Sequence, residues 1–342
     1  MLSPPEVREL WAVLRRLRNN GDTIVLITHR LDEVVDLSDT ITVMRAGQTV
    51  ARLKTSETNP SEIARLMVGR EVSLSAGKRV QPVARAETPR PDQGLEVRNL
   101  TVMGSRGIRV IDGVSFSIKP GEILGIAGVE GNGQTELIEA IAGLCTVFAG
   151  DVLIDGVDVT RRSVSQRHSA GLSHIPEDRH RRGLILEYNV ADNLILGLER
   201  TFSKRGIIDK NRVAENADRE ISSFDIRPPN PILAARALSG GNQQKVVVAR
   251  EMGRDFSVLL ASQPTRGVDV GAIEFIHQQL LDARAKGKAI LLVSAELNEV
   301  LALSDRIAVM YRGKFATVMP TANATEEALG EFMIGTRKGS AA

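Results

Sequence analysis

One cysteine, Cys145, is all that the 342-residue chain contains. An intramolecular disulfide is therefore excluded, and the composition suits a reducing compartment such as the cytosol. Charge of one sign is also lacking. Lys+Arg number 44 against Asp+Glu 42, for a formal net charge of +2. That balance gives no electrostatic case for a nucleic-acid partner. Long apolar runs are missing too. The clearest, Val258 to Ala261 and Ala289 to Val293, are strand-sized, whereas a membrane-spanning helix needs about 20 apolar residues. No secretory signal pattern opens the chain. What is present is 42% hydrophobic residues, enough for a packed core and a length that allows one large domain or two ordinary ones.

Residues 71–94, with their run VSLSAGKRVQPVARAETPRPDQG, carry neither a helical nor a strand period and read as a linker. It separates a short first piece, residues 1–70, from a full-sized second piece, residues 95–337, followed by a tail at 338–342. The two pieces are related. GDTIVLITHRLDEVVDLSDTITVMRAG aligns without a gap on GKAILLVSAELNEVLALSDRIAVMYRG. Gly21 falls on Gly287 and Gly47 on Gly313, the same offset of 266 positions. Ile24, Leu26, Leu31, Glu33, Leu37, Asp39 and Val43 each meet an identical residue. A duplicated domain is the expected origin. At that offset the first copy lacks counterparts of residues 95–266, and it reads as the end of a domain whose beginning precedes Met1. Ser3-Pro4-Pro5-Glu6 is a helix-start pattern, and Val7, Leu10, Trp11, Leu14 and Leu17 form one apolar stripe behind it.

Helical and strand patterns alternate in the second piece, which predicts an α/β fold around a parallel sheet. Glu122 to Gly128 reads as a buried strand and Thr135 to Leu144 as the following helix. Between them, Gly128-Val129-Glu130-Gly131-Asn132-Gly133-Gln134-Thr135 fits the phosphate-binding pattern G-x-x-x-x-G-K-[ST] except at one position. The glycines Gly128, Gly131 and Gly133 let backbone N–H groups surround a phosphate at a helix start, with Asn132 and Glu136 alongside. Thr135 is placed to hold Mg²⁺. Gln134 stands where lysine belongs and can offer phosphate a hydrogen bond but no charge.

Further losses follow. The strand Val258 to Ala261 should end in Asp-Glu, the first for the metal and the second for the attacking water. It ends in Ser262-Gln263, and neither side chain can do that work. A histidine switch is expected after the next strand, where Ala295 stands; its repeat mate in the first piece is His29. Pro176-Glu177-Asp178-Arg179 occupies the loop that normally carries a γ-phosphate-sensing glutamine, with Glu177 in its place. No aromatic residue lies between Thr101 and Ile111, where an adenine-stacking ring is expected. Intact by contrast are Leu238-Ser239-Gly240-Gly241-Asn242-Gln243-Gln244-Lys245 and Asp269.

These motifs together resemble the ATP-binding subunits of bacterial sugar and nucleoside ABC importers, in which two ATPase domains are fused. HIPEDRHRRGL, GVEGNGQTEL, LSGGNQQK and QPTRGVDVGA are similar to the second domain of that group, with GVEGNGQ and QPTRGVD leaning toward its nucleoside or lipoprotein-dependent branch. Residues 95–337 resemble it throughout, and residues 1–70 resemble the end of the first domain. The resemblance implies a P-loop NTPase fold with a parallel core sheet, an antiparallel β subdomain and a helical subdomain. It implies ATP and Mg²⁺ as ligands. It also implies a composite site, in which Leu238, Ser239, Gly240, Gly241, Asn242 and Gln243 act on nucleotide held by another domain, with Asp269 between the domains. Glu177 and Asp178 would couple closure to the membrane. Implied partners are integral-membrane permease subunits, a second ATPase domain or subunit and, indirectly, an extracytoplasmic solute-binding protein, with no nucleic acid. The implied location is the cytoplasmic face of the membrane. Two other readings share parts of this pattern: a catalytically silent module that pairs with a separate ATPase, and a soluble ABC protein of DNA repair or ribosome type. The second expects coiled-coil inserts or basic linkers, which this sequence lacks.

Overall fold

The computed structural model describes residues 4–28, 31–45, 47–69, 94–105 and 107–336. His29, Ser3, residues 71–93 of the linker and the tail 338–342 lie outside the described residues. The chain divides into two compact units, residues 1–74 with 269–274, and residues 75–268 with 275–342.

The first unit begins with helix α1 (Pro4–Asn19), followed by α2 (Leu31–Leu37), strands β1 (Thr40–Arg45) and β2 (Gln48–Lys54), and α3 (Pro60–Val68). β1 and β2 form an antiparallel hairpin with a bulge at Val43/Met44. Asn59 caps α3 by accepting the Glu62 N–H, Pro60 supplies a fixed φ at the first turn, and Gly69 ends the helix in the left-handed region. Leu31, Ile41, Val43, Ile63, Ala64 and Val270 make a small core.

In the second unit, β3 (Leu95–Met103) and β4 (Arg109–Ile118) precede β5 (Ile123–Ala127), which runs through the phosphate-loop motif into α4 (Gln134–Ala142). Then come β6 (Val147–Ile154), β7 (Val157–Asp158), α5 (Val164–Ser169) and β8 (Leu172–Ile175). Next are α6 (Val190–Leu194), the short pair β9 (Ser203–Lys204) and β10 (Ile207–Ile208), α7 (Lys210–Ser223) and α8 (Gly240–Met252). The chain continues as β11 (Val258–Ser262), α9 (Val270–Ala285), β12 (Ala289–Val293), α10 (Leu297–Leu303), β13 (Arg306–Tyr311), β14 (Lys314–Pro320) and α11 (Glu326–Met333).

Two sheets organise this unit. A six-stranded sheet has the order β14-β13-β5-β12-β11-β8, parallel except for β14. An antiparallel sheet has the order β4-β3-β6-β7. β5, β11 and β12 are buried at every position, as expected of central parallel strands covered on both faces. Leu137, Ile138 and Ile141 of α4 join residues of both sheets in the main core. Val300, Ile307, Leu329 and Phe332 form a second cluster beneath α10 and α11. Each such side chain contributes about 1.5–3 kcal/mol by burial.

The repeat seen in the sequence recurs in the element bounds. α1, α2, β1 and β2 fall on α9, α10, β13 and β14 residue for residue at the same offset, and the bulge at Val43/Met44 falls on one at Val309/Met310. One segment departs. Residues 24–27 align with 290–293 of β12, yet they form no strand. Val25 is 86% exposed and Ile27 94%, whereas Leu291 and Val293 are 0% and 3%. The physical reason is partnership: β12 pairs with β11 on one edge and β5 on the other. Among the described residues no strand pairs with 24–27, and unpaired backbone N–H and C=O groups stay with water rather than in a ladder. The stripe on α1 is likewise open, with Leu10 and Leu17 both exposed.

Candidate functional site

The C-terminal ends of β5, β11 and β12 bring the phosphate loop, Ser262-Gln263 and Ala295 together on one edge of the sheet. Gly131 and Gly133 sit at positive φ of 88° and 111°. A Cβ at Gly131 would meet nothing within 4 Å, whereas one at Gly133 would press on the Val110 carbonyl at 2.9 Å. The loop is thus open on its outer side and tight against β4 on its inner side. Asn132 braces it, donating to the Val129 carbonyl at 2.9 Å and accepting the Arg312 N–H at 2.8 Å. The first-turn N–H groups of α4 have no carbonyl partner within the helix, the normal basis of phosphate binding at a helix start.

Gln134 does not reach outward from this loop. It is buried, and its Nε2 donates to the Val129 carbonyl at 3.1 Å. The sequence reading gave this amide to phosphate; the structure gives it to the loop itself. The reason is steric and polar at once. The side chain packs against Gly128, which has no Cβ to keep it away, and the Val129 carbonyl supplies an acceptor within its reach. The loop therefore keeps its shape without a side-chain cation.

α4 is held at its far end by Arg167, a fully buried guanidinium. Its Nη1 donates to the carbonyls of Ala140 at 2.8 Å and Ile141 at 2.7 Å, satisfying orphan groups at the helix C-terminus. Its Nη2 donates to the Thr160 carbonyl at 2.7 Å. Burial pushes the Arg167 pKa below the usual arginine range.

Thr135 is exposed, and its hydroxyl donates to Glu177 Oε2 at 3.1 Å. The other oxygen of Glu177 accepts from Arg266 Nη1 at 2.7 Å. Asp178 caps the turn beyond, accepting the N–H groups of Arg181 at 3.1 Å and His180 at 2.9 Å. The Arg181 N–H, aided by that of His180, holds the Asp178 carboxyl below its ordinary pKa against the opposing effect of burial. Ser262 ends β11 as a buried hydroxyl. Gln263 follows at φ 49°, and its Oε1 accepts the Ala295 N–H at 3.0 Å. The residue in the position of a water-activating glutamate is thus tied to the backbone of the loop in the switch position.

Ser239 is the N-cap of α8, but its hydroxyl accepts no N–H of the first turn. It accepts instead from Asn242 Nδ2 at 2.9 Å, while Asn242 Oδ1 accepts the Arg227 N–H at 2.7 Å. The first bond of the helix is Gln243 N–H to the Ser239 carbonyl, at 2.9 Å. The N–H groups of Gly240, Gly241 and Asn242 are therefore those of an open helix start, and the Ser239 proton is free to be donated. Gly240 is required by close approach, because a Cβ there would stand 3.0 Å from the Gly267 carbonyl. Gln243 differs from the expectation that it faces a phosphate. It is buried, its Nε2 donates to the Ala235 carbonyl at 3.1 Å, and its Oε1 lies 2.8 Å from His180 Nε2. Leu238 is buried beneath the loop.

The C-terminal part of α8 is anchored by a buried ionic group. Glu251 pairs with Arg250 at 2.9 Å and Arg254 at 2.5 Å, and accepts from Ser173 at 2.9 Å. Burial pushes its carboxyl up, but the two guanidinium groups outweigh this and hold it below its ordinary pKa. Beside it His174 has its Nε2 buried without a partner, and burial drives its pKa down to about 4. Asp269, in the first unit, accepts the Ala272 N–H at 2.9 Å and so caps α9.

Sequence reasoning missed Arg266, Arg179 and His180. Arg179 donates to the Arg266 carbonyl at 2.8 Å, joining the Glu177 segment to the loop after β11. The available signal was charge: QPTRGVD and PEDRHRRG place arginines in loops where a glycine-rich or apolar turn would suffice.

Residues 111–266 match the ABC transporter family (ABC_tran). The chain is 41% identical over 337 residues to the nucleoside import ATP-binding protein NupA of Lactococcus lactis subsp. cremoris, covering 98% of this chain and 65% of that protein. It is 41% identical over 338 residues to the guanosine import ATP-binding protein NupO of Bacillus subtilis, again covering 98% and 65%. It is 37% identical over 336 residues to the ribose import ATP-binding protein RbsA of Bacillus subtilis, covering 98% and 66%. The chain therefore spans slightly less than two thirds of the length of these relatives. Among solved structures, a nucleotide-free ATP-binding cassette from an ABC transporter aligns with TM-score 0.59 at 23% identity over 71% of this chain and 95% of its own. A post-hydrolysis dimer of the cassette MJ0796 with ADP and Pi aligns with TM-score 0.58 at 24% identity, over 66% and 98%. The chain has the ABC-type P-loop ATPase fold, and its residues 111–266 are similar to the ABC transporter family.

Proposed function

We propose that this chain belongs to the ATP-binding subunit of an ABC importer for nucleosides or simple sugars, and that its contribution is to complete an ATP site rather than to run one. The observation that carries this reading is an asymmetry within one domain. The α8 start keeps Ser239, three N–H groups and an oriented hydroxyl, while the phosphate loop carries no lysine and β11 ends in Ser262-Gln263. The nucleoside, guanosine and ribose importers named above support the substrate class.

ATP and Mg²⁺ fit what the local loop retains. The α4 start and the open side of Gly131 would take the phosphates, and Thr135 with Glu177 would offer hard oxygen ligands to the metal. Bound Mg²⁺ would neutralise phosphate charge. The chain's own residues hold the nucleotide but provide no base for water, because the Gln263 amide is neutral and tied to Ala295. In the composite site, Ser239 and the N–H groups of Gly240 and Gly241 would stabilise the γ-phosphate held by another ATPase domain. Permease subunits would be driven through the segment around Glu177 and Asp178, placing the protein on the cytoplasmic membrane face as a peripheral subunit. Among the described residues no helix is long and apolar enough to cross a membrane.

Residues 1–70 are, in this reading, the end of a first ATPase domain related to residues 95–337 by duplication, with 71–94 as linker. The shared element bounds and the shared bulge support it. His29 would be the switch of that first domain. The test is ATP turnover by the purified chain. Turnover below the typical enzyme range of roughly 1–10³ per second is expected alongside binding of a fluorescent ATP analogue. Turnover within that range would contradict the proposed division of labour.

A further inference from the structure

The segment between α6 and α7 lies outside every motif of the nucleotide sites. Its β9–β10 hairpin pairs Ile207 with Lys204 and Ile208 with Ser203. Arg205 and Gly206 form the two-residue turn at φ 54° and 83°, in the left-handed region that a tight hairpin turn requires. Ile207 is 76% exposed and Ile208 44%. Successive strand residues point to opposite faces, so both faces of the hairpin tip carry an apolar side chain that nothing covers. Five exposed cations flank them in sequence: Arg200, Lys204, Arg205, Lys210 and Arg212. Among the described residues none of the five forms an ion pair. Arg212 lies over the Phe202 ring at 5.8 Å. The two acids of residues 199–212 are occupied by backbone. Glu199 accepts the Gly197 N–H at 2.8 Å, and Asp209 caps α7 by accepting the Asn211 and Arg212 N–H groups at 3.1 and 3.2 Å. Lys204, Arg205, Ile207, Ile208 and Asp209 line a shallow concavity of about 430 Å³.

Exposed aliphatic side chains beside unpaired Lys and Arg complement an anionic bilayer surface. Headgroup phosphates attract the cations, and the aliphatic tips enter the boundary with the acyl chains. We propose that the β9–β10 hairpin docks on the anionic phospholipid surface of the membrane, with Ile207 and Ile208 entering the interface and Lys204 and Arg205 meeting headgroup phosphates. A single-stranded nucleic acid would use the cations but needs open aromatic faces, and the aromatic here, Phe202, is covered by Arg212. The lipid contact adds to the proposed function, in which permease subunits hold the chain at the membrane. Its failure would leave that reading in place.

The experiment is sedimentation of the purified 342-residue chain with vesicles of phosphatidylcholine alone and of phosphatidylcholine mixed with phosphatidylglycerol. Wild type is compared with Ile207→Ser/Ile208→Ser and with Lys204→Gln/Arg205→Asn. A charge-matched control is Arg98→Gln/Arg109→Gln, whose cations already pair with Glu96 and Asp112. Asparagine tolerates the left-handed φ of position 205, and thermal melts confirm that each variant is folded. Wild type is expected to bind the mixed vesicles at least about tenfold more tightly than the neutral ones. Each cation near an anionic surface contributes about fivefold, so Lys204→Gln/Arg205→Asn should lose about tenfold or more. Ile207→Ser/Ile208→Ser should lose about fivefold or more on the mixed vesicles. The control should match wild type. Equal binding of wild type to both vesicles, or an equal loss in the control, would overturn the proposal. So would unchanged binding of the isoleucine variant, which would leave attraction to any polyanion. Binding to permease-bearing vesicles without binding to lipid alone would also overturn it, by making the permease the occupant.

Discussion

Replacing Arg167 with alanine should destabilise the second unit by about 3–5 kcal/mol, because buried carbonyls lose their donor and a cavity is left behind. The guanidinium makes three bonds of 2.7 to 2.8 Å to the carbonyls of Ala140, Ile141 and Thr160, and a fourth of 3.1 Å to Arg162. Hydrogen bonds to charged groups contribute about 1.5–3 kcal/mol each, but burying the guanidinium opposes them, and the terms do not add. Alanine leaves the two α4 carbonyls without a donor and opens a cavity beside Gly143, whose Cα region lies against the Arg167 side chain. The assay is urea denaturation of the wild type and variant, with the midpoint shift read against the slope. Arg167→Lys should recover less than half of the loss, since one ammonium cannot replace a fork that reaches four carbonyls. A loss below about 1 kcal/mol for alanine would refute the claim that this residue fixes α4, and with it the phosphate loop at the other end of that helix.

Two further outcomes follow from buried and positioned groups. His174 titrates at about 4 in the folded chain against an ordinary 6.5, so the unfolded chain binds the proton more tightly. Its contribution to stability is full at neutral pH and is lost as pH falls from 6.5 toward 4, about 2 kcal/mol by pH 5; denaturation of wild type and His174→Gln at pH 7 and pH 5 should show a flatter pH dependence in the variant, and equal slopes would count against it. Asn242→Ala should lower ATP turnover of the assembled transporter about fivefold to tenfold, the worth of one neutral hydrogen bond that directs Ser239. Asn242→Asp should be worse, because its carboxylate would accept the Ser239 proton that the phosphate needs and would repel the phosphate itself; equal activity of the two variants would remove Asn242 from a positioning role.

Where burial and periodicity set the structure, the sequence was readable. β5, β11 and β12 lie within a residue of where their apolar runs place them, and α4 begins where the glycine-rich loop ends. The glycine-rich loop leading into α4 and the start of α8 were likewise legible as local structure, because each depends on residue type at fixed spacing. What could not be read depends on partners distant in sequence. Residues 24–27 have the composition of β12 but remain outside any strand, since a strand exists only with neighbours to bond. Gln134 has the donor for a phosphate, and only the folded loop shows that Val129 claims it. Gln243 likewise turns inward to His180 and Ala235. Arg167 and Arg266 carry no local pattern at all. Arg167 holds α4 through carbonyls 26 and 27 positions away, and Arg266 meets a carboxylate 89 positions away.

The most direct test of the division of labour is substrate uptake by the assembled importer carrying Gly241→Asp or Gln134→Ala in this domain. Gly241 is buried in the first turn of α8, where an added carboxylate would oppose a phosphate brought to the helix start. Gln134 braces a loop that already lacks its cation. The account predicts that Gly241→Asp abolishes uptake and that Gln134→Ala only reduces it. Equal loss from both, or a greater loss from Gln134→Ala, would show that this domain's own phosphate loop carries the catalysis.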